Sequence, residues 1–191
     1  MTFVGTSRVA EIVSKRCRNL NKRALALGGA KNHLVAYPDC NVDMTAQDVV
    51  NSFAGCTGQR CMAASVLLTI GEQPTLLKAI VEKASKLTPG QSSAGHMGPV
   101  IDKLSQDRIL RYIKESEESG AEILFDGRSW ATSQKQGYWV GPTVIKHKNR
   151  KDKALHDEIF GPVISILECS SREEALEIEN GNPYGNAGMS F

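Results

Sequence analysis

At 191 residues the chain is long enough for one well-filled core, or for one domain with an appendage. With 41% hydrophobic and 23% charged residues it lies outside the disordered range, and a formal charge of +2 leaves no electrostatic case for nucleic acid as a partner. No apolar run approaches the ~18 residues of a spanning helix, so no membrane association is expected, and the five cysteines (Cys17, Cys40, Cys56, Cys61 and Cys169) show no paired metal-ligand spacing, which predicts free thiols and no metal.

Residues 1–4 form an apolar, strand-like stub that runs into Gly5. Val9, Ile12 and Val13 are spaced for a helix opening near Ser7. Residues 23–27 and 33–37 read as short strands around the Gly28-Gly29 turn. Thr45 is placed to cap a helix, with Asp48 in the capping-box position and Val49, Val50 and Phe53 as its apolar stripe. Residues 65–70 read as a buried strand, and Leu76, Leu77, Ile80, Val81 and Ala84 mark an amphipathic helix. Ser105 opens another helix, with Ile109, Leu110 and Ile113 inward and Gly120 as its stop. Residues 122–125, 140–146 and 163–168 read as strands, and 171–180 as a short helix with Glu174 in a capping box. The basic run 146–153 reads as a solvated loop. Strands that alternate with helices predict an α/β domain, a mainly parallel sheet flanked by helices. The apolar stretches at residues 1–4 and 187–191 have no turn signal beside them, so the sheet is expected to be incomplete at both ends.

Three segments carry chemistry. In Ala54-Gly55-Cys56-Thr57-Gly58-Gln59-Arg60-Cys61, two glycines permit close backbone approach, and a cysteine next to an arginine favours the thiolate that attacks carbonyls. Cys56 falls where it could pack against the preceding helix as a small hydrophobe. Glu158-Ile159-Phe160-Gly161-Pro162-Val163 sets an acid and an aromatic before a Gly-Pro turn into a strand. Leu27-Gly28-Gly29-Ala30-Lys31-Asn32 places a glycine pair between two strands. Each alone has an ordinary structural explanation: a buried thiol, a solvated turn, a plain connection.

In this order, the three segments resemble the aldehyde dehydrogenase superfamily. Phe3-Val4-Gly5-Thr6, Gly141-Pro142-Thr143 and Pro183-Tyr184-Gly185 match further landmarks of that family, so the resemblance spans residues 3–191. Within it the chain is most similar to the acylating branch that acts on methylmalonate and malonate semialdehydes, because of the Leu27 to His33 run and of Gln59-Arg60-Cys61-Met62. The resemblance implies that Cys61 is the nucleophile and that NAD is the cofactor. Gly5, Thr6 and Leu27 would line the nicotinamide side, Glu158 would hold the ribose, and Phe160 would pack beside the ring. Arg60 would make a bidentate contact to the substrate carboxylate, and Phe53 would shape a tunnel or pack in the core.

The common family version has a glutamate where Leu27 stands. Leucine accepts no proton, so attack by water should be slow, and coenzyme A is the expected co-substrate, with loss of carbon dioxide. Alternatives are a hydrolytic aldehyde dehydrogenase and an inactive paralogue used in subunit association. Residues 1–26 are expected to be a remnant of the NAD-binding domain and 27–191 the catalytic domain. The full-length protein would be a homo-oligomer, dimer or tetramer, in the mitochondrial matrix of a eukaryote or the cytoplasm of a bacterium.

Overall fold

The structure is a computed structural model that describes residues 1–90, 96–134 and 136–191. The chain divides into two compact units, Met1–Ala30 and Lys31–Phe191. In the first, strands β1 (Thr2–Val4) and β2 (Leu25–Leu27) pair in parallel and are joined by helix α1 (Ser7–Asn19). Pairing with β1 carries all of β2 into this unit, which extends to Ala30. For the same reason the two strands flanking the glycine pair are not neighbours: β2 and the strand after it belong to different sheets.

The second unit runs β3 (Asn32–Ala36), α2 (Val42–Ala54), β4 (Ala64–Ile70), α3 (Pro74–Ser85), α4 (Lys103–Glu118), β5 (Glu122–Phe125), α5 (Trp130–Ser133), β6 (Thr143–His147), α6 (Lys153–His156), β7 (Val163–Cys169), α7 (Arg172–Gly181) and β8 (Gly188–Ser190). Among the described residues its six strands lie in the order β5-β6-β7-β4-β3-β8, all parallel except the β5/β6 pair. Both faces are covered, which is why β4 and β7 are near-continuous apolar runs. Leu67 and Ile164 pack with Val49 and Phe53 of α2 and Leu76 and Ile80 of α3. Ile145 and Val163 pack with Ile109 and Ile113 of α4. Val66, Leu68 and Leu167 pack with Ala175 of α7. Burying one such side chain contributes roughly 1.5–3 kcal/mol, so these helices rest on packing more than on intrinsic propensity. Phe53 is fully buried in this core.

The helix starts differ from the sequence expectation in two places. Helix α2 is capped by Asn41, whose Oδ1 accepts the Met44 amide at 3.1 Å, while Thr45 is buried inside the helix. Helix α4 is capped by Asp102, which accepts the Ser105 amide at 2.7 Å. At α7 the first half of the expected box forms, with Ser171 Oγ accepting the Glu174 amide at 3.2 Å, while the Glu174 carboxylate reaches one residue further back and accepts the Ser170 amide at 2.6 Å.

The basic run 146–153 is not simply a solvated loop, because His147 and Asp152 within it are buried. Asp152 accepts the Ser119 hydroxyl at 2.7 Å, the Ser116 hydroxyl at 3.1 Å and the Ala154 amide at 2.9 Å, which fastens α6 to α4. Burial pushes the Asp152 carboxyl up, but these donors and His147 outweigh it and hold the carboxyl below its ordinary value. Among the described residues, no helix is long and apolar enough to cross a membrane.

Candidate active site

Helix α2 ends at Ala54, and a 3-10 turn follows over Gly55–Gly58. Cys56 (φ 51), Thr57 (φ 57) and Gly58 (φ 68) all adopt the left-handed region. That conformation is disfavoured by about 1–2 kcal/mol for a non-glycine residue, so the surroundings must hold it. Thr57 is buried and donates its hydroxyl to the Gly98 carbonyl at 2.7 Å. Gln59 Oε1 accepts the Ile101 amide at 2.9 Å. Gly58 sits so close to the Gly161-Pro162 turn that a Cβ there would lie 2.0 Å from the Gly161 carbonyl oxygen. Two of the sequence segments thus meet backbone to backbone.

Both cysteines of the loop are exposed. Cys56 does not pack against α2, because the left-handed turn swings it outward. The Cys61 carbonyl receives two side-chain amides: Asn32 Nδ2 at 2.8 Å and Asn186 Nδ2 at 2.8 Å. Asn32 donates its second hydrogen to the Ala63 carbonyl at 2.7 Å, and its Oδ1 accepts the Ala187 amide at 3.1 Å. Every polar atom of that buried side chain is therefore used. The register of β3 on β4 slips beside it: Asn32 lies opposite Ala64 and His33 opposite Val66, leaving Ser65 unmatched. Such irregularities re-aim side chains, and this one occurs where Asn32 meets the Cys61 loop.

Arg60 reaches back to helix α2. Its Nη2 donates to the carbonyls of Asn51 at 3.1 Å and Ser52 at 2.9 Å, closing the last turn of α2. Either fork of a guanidinium passes through that nitrogen, so a substrate carboxylate is left a single-point contact and not the bidentate one.

Glu158 is half-buried, and Phe160 is exposed with φ 53. The turn before them is held by Lys31, whose Nζ donates to the carbonyls of Ala154 and Asp157 at 2.7 Å each. Burial pushes the Lys31 ammonium down to about 7, against the pull of Asp157, Glu158 and Asp152. Tyr112 donates to the Asp157 carboxylate at 2.8 Å. Thr143, from the Gly-Pro-Thr landmark, is buried and donates its amide to the Pro162 carbonyl at 2.9 Å, fixing the same turn from the other side.

Gly5, Thr6 and Leu27 come together in the first unit. The Gly5 amide donates to the Leu27 carbonyl at 3.1 Å, and Val4 lies opposite Leu27. All three stand at the carboxyl ends of β1 and β2, the edge at which open α/β sheets take ligands. Asn32, Asn186 and Lys31 were not among the site residues read from the sequence. The available signal was polarity out of place: Lys31, Asn32 and His33 are successive polar residues leading into a buried strand.

Comparison with known proteins gives one consistent result. The model of the aldehyde dehydrogenase family matches residues 1–191. The chain is 38% identical to the bovine methylmalonate-semialdehyde/malonate-semialdehyde dehydrogenase (acylating, mitochondrial), over 100% of this chain and 36% of that protein. It is 36% identical to malonate-semialdehyde dehydrogenase 2 of Geobacillus kaustophilus, over 97% of this chain and 39% of that protein. Among solved structures, methylmalonate-semialdehyde dehydrogenase from Oceanimonas doudoroffii matches with a TM-score of 0.95 at 32% identity, covering 100% of this chain and 40% of that one. A Sinorhizobium meliloti protein described as a putative methylmalonate-semialdehyde dehydrogenase, complexed with NAD, matches with a TM-score of 0.94 at 32% identity, again over 100% of this chain and 40% of that one. The chain thus spans roughly two-fifths of the length of these relatives.

Proposed function

The chain belongs to the aldehyde dehydrogenase family of oxidoreductases, and from that premise we propose that Cys61 takes the acyl group of methylmalonate or malonate semialdehyde as a thioester and passes it to coenzyme A. The observation that carries this reading is the Cys61 loop: an exposed thiol that follows a left-handed turn whose Gly58 seats on Gly161-Pro162, with the Cys61 carbonyl held by two amides. A thiol maintained in such a setting is placed to react, not to fill a core.

The residues fit NAD. An exposed aromatic ring at Phe160 and a half-buried carboxylate at Glu158 suit a flat ring and a ribose diol. Gly5 and Thr6, at a strand's carboxyl end, offer backbone at close approach. When bound, NAD supplies the hydride acceptor for oxidation at the aldehyde carbon. Cys61 attacks that carbon as the thiolate and afterwards holds the acyl group. Arg60 offers the substrate carboxylate one hydrogen bond from the part of its guanidinium not committed to α2. Leu27 stands where the common family version has a glutamate, and leucine supplies no base for water, which supports release of the acyl group to a thiol, since a thiol ionises far more readily. The substrate class also agrees with the names of the relatives.

The acyl-transfer half of this chemistry can be tested on the chain itself, without NAD. Propionyl-coenzyme A should acylate Cys61: the thiolate attacks the acyl carbonyl and coenzyme A departs as its thiolate. Intact mass should rise by one propionyl group, peptide mapping should place it on Cys61 and not Cys56, and Cys61→Ser should abolish it. Equal labelling of both cysteines, or release of the acyl group to water as fast as to added coenzyme A, would count against the acylating reading.

A further inference from the structure

We propose that Asn186, acting with Asn32, is a positioning residue for the Cys61 thiol. The inference rests on Cys61 being the reacting group, as argued above. Two amides from distant parts of the chain converge on one carbonyl oxygen, each at 2.8 Å, from 29 and 125 residues away in sequence. A carbonyl has two lone pairs, and both are then occupied. With the oxygen held from two sides, the Cys61–Met62 peptide plane has no freedom to rotate. The Cα–Cβ bond of Cys61 therefore keeps one direction, and the thiol stays presented. The same donors draw negative charge from the carbonyl oxygen nearest the thiolate, which reduces repulsion within the residue.

The orientation of Asn32 follows from its partners. Rotating its amide by 180° would set its oxygen against two carbonyls and its nitrogen against the Ala187 amide. Asn186 is different in kind. It is exposed, its backbone is strained at φ 127, and it lines a cavity of about 330 Å³ with Lys31, His33 and Tyr184. A residue chosen for stability at such a φ would be glycine. Retaining asparagine there is explained by what its amide does for Cys61. The Ala187 amide beside it, bound to Asn32 Oδ1, places the two asparagines on the same carbonyl.

The substitution Asn186→Gly separates positioning from stability. It removes the amide and relieves the φ, so a purely structural role predicts an unchanged or lower melting temperature with unchanged thiol chemistry. Positioning predicts an unchanged or higher melting temperature with a less reactive Cys61. The measurement is the rate of alkylation by iodoacetamide, read peptide by peptide, with Cys56 as internal reference. The Cys61/Cys56 rate ratio should fall about fivefold in Asn186→Gly, the factor expected for one ordinary hydrogen bond. It should fall at least as far in Asn186→Asp, which keeps the shape but has no hydrogen to donate when ionised. An unchanged ratio in Asn186→Gly, or parallel changes in both thiols with a lowered melting temperature, overturns the proposal. If Cys61 is no faster than Cys56 in the unsubstituted chain, the nucleophile reading fails and takes the clamp with it. If Cys61 is fast in every variant, only the clamp fails.

Discussion

Gly58 holds the Cys61 loop against its neighbour for two separable reasons: a backbone φ of 68 and a contact with Gly161 that leaves no room for a side chain. Gly71 has nearly the same φ, 70, with nothing within 4 Å of the position a Cβ would take. The pair therefore separates conformational strain from close packing. Gly71→Ala should lower stability by about 1 kcal/mol, the strain alone. Gly58→Ala should lower it by roughly 3 kcal/mol or more, because the backbone of Gly161 must also move. Urea unfolding of the two variants checks this, and equal losses would mean that the close approach is not what demands glycine. At this scale the sequence is only half legible. Cys61, Glu158 and Phe160 stand in ordered motifs, and it is through the family resemblance of those motifs that they are proposed as site residues. The contacts of Asn32 and Asn186 with Cys61 cannot be read that way, since an amide side chain has no periodicity and its partner here lies far along the chain. Arg60 is legible in part. Adjacency to Cys61 points to the substrate, but a long side chain reaches back to the preceding helix.

Elements are more readable than residues, because burial periodicity records which face meets the core. Helix α1 opens at the expected Ser7, α3 encloses its expected apolar stripe, and strands β4 and β7 lie within a residue of their expected limits. What periodicity does not record is which polar group closes each element. Thr45 and Asp48 fit the capping pattern, yet Asn41 holds the cap, one turn before Thr45 and two turns before the apolar stripe begins. Lys31 is the strongest case of a polar link between elements, joining the start of β3 to the turn after α6. Its pH dependence follows from burial. Below about pH 7 both folded and unfolded chains carry the ammonium, and the desolvation penalty is fully present. Between about 7 and the ordinary lysine value of 10.5, the folded chain has released the proton and the unfolded chain has not. The unfolded state binds more protons there, so stability should rise with pH across that window. Relative to Lys31→Met, the unfolding free energy should climb by up to about 1.4 kcal/mol per pH unit. Urea titrations at pH 7, 8 and 9 measure the difference. If it stays flat, Lys31 is not charged at a cost in the fold, and the turn before Glu158 is held by carbonyl contacts alone.

For the whole molecule, the two units differ in how well each is supported. Lys31–Phe191 contains three clusters of buried apolar residues around a six-stranded sheet. Met1–Ala30 has two three-residue strands and one helix of 13 residues, and its buried apolar side chains include Ala10 and Cys17 while Val4, Ile12, Leu20 and Leu25 are exposed. An isolated strand pair is marginal in water, and so is a helix of that length without a packed face. Local opening should therefore be far easier in the first unit. Amide hydrogen exchange should be at least ~100-fold faster in β1, α1 and β2 than in β4 and β7. Comparable protection in both units would mean that the short sheet is stabilised well beyond its own contacts. The consequence for function follows from which residues lie where. Gly5, Thr6 and Leu27, the proposed nicotinamide side, belong to the unit expected to open. Cys61, its two asparagines and the Gly161-Pro162 turn belong to the unit expected to stay closed. In the proposed reading acyl exchange on Cys61 needs the second set, while dehydrogenation needs the nicotinamide residues as well, so the chain should transfer acyl groups far better than it produces NADH.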